Sequence, residues 1–175
     1  MTIANYQAAA NASNCEIVTK GFDQWIKVYS SGALTNGAIK VLQTTVDYTD
    51  TSNPICTFIP AAPATETTES QIVGVIDNSL LGLATIPAGT YGFMKLRGEV
   101  SALCNGGTTD IAAGDGLEIL NGGTGFTVGQ AATSGVITAP PAGEVCAVAL
   151  EAYTSATEVV KKVVLLGKQV QVKAS

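Results

Sequence analysis

Tyr91-Gly-Phe-Met-Lys-Leu-Arg-Gly-Glu-Val100 alternates almost residue by residue between two kinds of side chain. Met94, Leu96, Gly98 and Val100 fall on one side and Phe93, Lys95, Arg97 and Glu99 on the other. This is the two-residue period of a strand with one core face and one wet face. Outward from it, β-branched and aromatic runs recur at Trp25–Tyr29, Ile39–Val46, Gln71–Ile76, Gly116–Leu120, Glu144–Glu151 and Val159–Val172, with turn signals between them. Only residues 157–166, TEVVKKVVLL, also suit a helix face, with apolar residues at 159, 160, 163 and 164. Four valines and the lack of a cap residue assign them to a strand.

A short corner theme joins these runs. Leu34-Thr-Asn-Gly37, Ile86-Pro-Ala-Gly89, Ile111-Ala-Ala-Gly114 and Ala139-Pro-Pro-Ala-Gly143 each end in a glycine that precedes a strand. Glycine accepts a positive φ at such corners without the steric cost of a Cβ. The glycines are 52, 25 and 29 residues apart, so no fixed period points to a solenoid. The expected fold is all-β, a compact antiparallel barrel or sandwich. Its N-terminal arm, residues 1–20, lacks alternation and precedes a β domain over 21–175, and PAAPATETTES, residues 60–70, reads as an exposed loop.

Composition narrows the function. The 175-residue chain carries 13 % charged and 46 % hydrophobic residues, which suits a folded core and a weakly charged surface. No histidine is present, which removes Ser-His-Asp and Cys-His nucleophile activation and His-ligated zinc. A net charge of −5 with one arginine, Arg97, argues against nucleic acid as partner. No apolar run reaches the length of a membrane span, and residues 1–20 lack a signal-peptide pattern, so the expectation is a soluble protein made in a cytoplasm, with no membrane partner.

Cys15, Cys56, Cys104 and Cys146 form no C-x-x-C pair, so no metal site is expected, and Cys56 and Cys146 read as small core residues. Asp110, Asp115 and Glu118 sit around an Ala-Gly-Asp-Gly turn and read as a polar corner leading into a strand. The loop glycines match neither a phosphate loop nor a dinucleotide fingerprint. Neither a catalytic residue nor a cofactor is expected.

The corner theme, Gly-Val-Ile-Asp at 74–77, Ile-Pro-Ala-Gly-Thr-Tyr-Gly-Phe-Met-Lys-Leu-Arg-Gly-Glu-Val at 86–100, Ala-Ala-Gly-Asp-Gly-Leu-Glu-Ile at 112–119 and Val-Ala-Leu-Glu-Ala at 148–152 together resemble the capsid decoration, or cement, proteins of tailed bacteriophages. The resemblance covers about residues 33–167. It implies a compact β domain on the outer surface of an icosahedral phage head, made in the host cytoplasm, with the major capsid protein as partner and a homo-oligomer, trimer before dimer, as the working unit. The alternative is a carbohydrate- or receptor-binding β-sandwich module of a head fibre or adhesin. For attachment the candidates are Ile3 and Tyr6, the bulky side chains of the arm, and Trp25, for which a core position competes because strand aromatics usually pack inward.

Overall fold

The computed structural model describes residues 16–47, 55–62, 71–104, 110–119, 126–128, 145–154, 159–167 and 169–170. The arm residues Ile3 and Tyr6, Cys15, the Gly143 corner and residues 63–70 lie outside them. The strands are β1 (Ile17–Lys20), β2 (Asp23–Ser30), β3 (Leu34–Thr35), β4 (Ile39–Asp47), β5 (Ile55–Ala61), β6 (Gln71–Ile76), β7 (Thr85–Ile86), β8 (Thr90–Cys104), β9 (Gly116–Ile119), β10 (Phe126–Val128), β11 (Ala147–Ala149), β12 (Val159–Leu166) and β13 (Gln169–Val170). One 3-10 turn, Asn78–Leu81, interrupts them, and the described residues contain no α-helix.

The quoted stretch is the middle of β8, which is the spine of the sheet. At about 3.3 Å per residue its 15 residues run about 50 Å, long enough for successive partners along its length. β2 pairs with residues 90–97, β6 with 94–95 and β12 with 97–104, all antiparallel. Beyond β12 the order continues through β11 and β9 to β10, and beyond β6 through β4 to β5. β5 then packs back against β2. The sheet therefore curls into an antiparallel half-barrel, with one parallel bridge where Phe126 of β10 meets Cys104.

The curl encloses two apolar interiors. Ile26, Val28, Ile76, Ile86, Met94 and Leu96 fill the part bounded by β2, β6 and β8. Ile39, Val73, Val75, Val100, Ala102, Leu117, Ala147, Val163 and Leu165 fill the longer part. The strand assignment of residues 157–166 holds for the described Val159–Leu166. The corner glycines Gly37, Gly89 and Gly114 all adopt positive φ, as the theme requires. Asn36-Gly37 is a turn, yet β3 and β4 on either side of it do not pair with each other: β3 pairs with β7 and β4 with β5 and β6.

Four expectations need correction. The sheet begins inside the proposed arm: Ile17–Lys20 is a strand on β2, because Val18 docks against Trp25, Leu81 and Phe93, and four residues are too few to show a period. The loop expected from residue 60 starts later, since Pro60 and Ala61 belong to β5, whose place at the end of the sheet path tolerates a proline. The long C-terminal run breaks at Gly167, with φ of 70°, and the following Gln169–Val170 pairs with β6. The wet face of β8 is wet only in its second half. Phe93 and Lys95 are buried, because β1, β2 and the 3-10 turn cover that side of the strand.

Candidate functional site

The partly covered face of β8 organises a connected set of polar and aromatic side chains. Register places Trp25 directly opposite Lys95, Lys27 opposite Phe93 and Tyr29 opposite Tyr91. Long cations and aromatic rings therefore alternate across two strands. The Lys27 ammonium lies 4.6 Å from the centroid of Tyr91, and Tyr91 meets Tyr29 edge to face at 5.3 Å. Burial lowers the Lys27 pKa, opposed by the charge of Glu16.

Lys95 is 4 % exposed and is held on three sides. Its Nζ is 3.2 Å from Asp23 Oδ1, donates to the backbone carbonyl of Glu99, and lies 4.3 Å above the Trp25 ring. The indole Nε1–H of Trp25 donates in turn to Asp77 Oδ2 at 2.9 Å. Asp77 also caps the 3-10 turn, its Oδ1 accepting from the Ser79 amide at 3.1 Å. One indole thus has a cation on its face and a carboxylate at its N–H edge, matching its negative face and positive edge.

Two asparagines hold the walls. Asn78, fully buried, accepts from the Phe93 amide at 2.8 Å and donates to the Thr85 carbonyl at 2.8 Å. Its own amide donates to Asn36 Oδ1 at 3.0 Å, and Asn36 Nδ2 donates to the Leu83 carbonyl at 3.0 Å. Between these walls and the outward face of β8 and β12 lies a cleft of about 520 Å³. Asp23, Asn36, Asp77, Lys95, Glu99, Ser101 and Lys162 line it. On its rim Lys162 pairs with Glu99 at 3.1 Å, a contact that raises the Lys162 pKa through the hydrogen bond and the charge of Glu99.

The candidate contact residues fare differently. Trp25 is 4 % exposed, so it belongs to the interior and offers no surface to a partner. Ile3 and Tyr6 lie outside the described residues. The surface instead exposes Ile17, opposite Ile26 in the middle of β2, Phe22 just before β2 and under the Arg97 guanidinium at 4.1 Å, and Leu83, Val159 and Val160 near the Asn36-Gly37 turn. Of the acidic turn, Asp115 accepts from the Ala112 amide at 2.7 Å, the corner role its sequence suggests. Cys104 is a buried free thiol, Cys146 is buried and directs its Sγ to the Leu117 carbonyl at 3.5 Å, and the Cys56 side chain lies outside the described residues. Among the described residues no group of Cys, Asp and Glu is placed to hold a metal ion.

Sequence reading missed Lys95, Asp77, Asn36 and Asn78 as a connected set. The available signal was Asp77-Asn78-Ser79 at a strand end, a capping pattern. Comparison of the chain with protein families, with curated proteins and with solved structures finds no match to any of the three.

Proposed function

We propose that this chain is a structural decoration protein that binds the outer surface of an icosahedral phage head and bridges neighbouring capsomers. The observation that carries the reading is the coincidence of the resembling motifs with structural corners and spine: Gly37, Gly89 and Gly114 turn at positive φ into β4, β8 and β9. Exposed aliphatic and aromatic side chains on a chain with 13 % charged residues supply a surface suited to burial against a shell. Many modest contacts, repeated by the symmetry of the shell, favour the assembled state by mass action. The working unit in this reading is a homo-oligomer, trimer before dimer, with the major capsid protein beneath it.

Sedimentation tests the reading. Purified protein is mixed with heads lacking it, and binding is followed against concentration. Saturation at a fixed number of copies per capsomer supports decoration. No co-sedimentation with any head, or binding that free glycan abolishes, overturns it in favour of a recognition module.

A further inference from the structure

We propose that the cleft floored by Asp77 receives one basic side chain, lysine or arginine, from a partner protein. This goes beyond the attachment reading, since heads can be decorated without this contact and the contact can form without heads. Charge bookkeeping within the cleft comes first. Asp23 is matched by Lys95 and Glu99 by Lys162. Asp77, 9 % exposed, accepts only from two neutral donors, the Trp25 indole and the Ser79 amide, and no cation of the described residues pairs with it. A carboxylate that has left water is stabilised by a cation more than by neutral donors.

The remaining features select among cations. A divalent ion needs several free oxygen ligands, but the carboxylates of Asp23 and Glu99 are already engaged by lysines. One ammonium or guanidinium needs a single carboxylate and space. The cleft volume of about 520 Å³ is in the range of sites that bury a small group. Its Asn36 wall continues into apolar surface: Asn36 Nδ2 holds the Leu83 carbonyl, and Val160 Cγ2 lies 3.4 Å from where a Cβ on Gly37 would be. Leu83 and Val160 are both exposed. A charged anchor flanked by aliphatic surface fits a protein segment better than a free amine, because the segment fills both parts at once.

The single tryptophan reports on the site, since its indole N–H is bonded to the carboxylate in question. N-acetyl-L-arginine amide and N-acetyl-L-lysine amide are titrated into the ¹⁵N-labelled protein, with N-acetyl-L-citrulline amide as the uncharged match for arginine. The expected result is a saturable shift of the Trp25 indole resonance by at least one cationic probe at roughly millimolar concentration, the scale of a single side-chain contact. Asp77→Asn and Ser101→Lys should each weaken it at least fivefold. The second variant changes an exposed position, so it serves even if the first does not fold. No saturable shift with either cationic probe, an equal response to citrulline, or unchanged binding in Ser101→Lys overturns the proposal.

Discussion

Gly98 and Asp23 compete for one volume: a Cβ on Gly98 would stand 1.8 Å from Asp23 Oδ1. The absent side chain lets the β2 carboxylate lie against β8 and reach Lys95, three residues along that strand. Gly98 also has a φ of 101°, where an L side chain is strained. Gly98→Ala should therefore destabilise the protein by about 2–4 kcal/mol, the sum of backbone strain and a displaced ion pair. Gly21→Ala, at φ 63° with open space around it, should cost only about 1–2 kcal/mol. Urea midpoints of the two variants make the comparison, and equal losses would remove the packing half of the argument.

Lys95 and Asp23 should couple energetically. Asp23 keeps 35 % of its side chain exposed, so solvent screens the pair and tempers the effect. In a double-mutant cycle of Lys95→Met and Asp23→Asn, a coupling of about 0.5–3 kcal/mol is expected. Additive losses would show that the cation is held by the Trp25 ring and the Glu99 carbonyl alone.

Asn78→Ala should rank among the costlier single changes, since it strips partners from the Phe93 amide and the Thr85 carbonyl together. A loss of about 1–3 kcal/mol follows, most of it from the buried Phe93 amide left unsatisfied, since Thr85 is exposed and water can reach its carbonyl. Asn78→Asp restores the acceptor for Phe93 but not the donor to Thr85. Native-state hydrogen exchange should show the Phe93 amide losing protection in the alanine variant and retaining more of it in the aspartate variant.

Burial pushes the Cys104 thiol up to about 11 from its ordinary 9.0, with the nearby Lys161 charge lowering it and that of Glu151 raising it by smaller amounts. Between those two values the unfolded chain releases the proton that the folded chain keeps, so stability falls as pH rises from 9 to about 11. Cys104→Ala should flatten that part of the profile. The lowered Lys27 pKa acts in the opposite sense below 10.5, and it is common to both proteins, so it cancels in the difference. Chemical denaturation at stepped pH measures the slopes, and identical slopes would contradict the assignment.

Truncation separates attachment from folding. Removing residues 2–15, which include Ile3 and Tyr6, leaves β1 and its docking residue Val18 in place. The melting temperature of the isolated protein should stay nearly constant while head binding weakens. Earlier unfolding by several degrees with normal binding would place those residues in the core. Val160→Glu, on exposed β12 surface, should likewise change stability by no more than about 0.5 kcal/mol while reducing binding to heads.

Local chemistry was enough to establish the longer strands and three of their corners, but not the four-residue β1 or the two-residue β3, β7 and β13. The alternation of residues 91–100, the valines of 159–166 and the glycines at 37, 89 and 114 act through backbone and nearest-neighbour sterics, which depend on short stretches of chain. What covers each strand is decided elsewhere. Lys95 has the polarity of a wet-face residue, and it is buried because Trp25, 70 positions earlier in the chain, is laid opposite it by register. Asp77 reads as a cap for Ser79, and only the approach of the Trp25 indole makes it part of a cleft. Burial and charge pairing arise from contacts between distant segments, whose closure depends on how the whole sheet curls, and no local pattern encodes that.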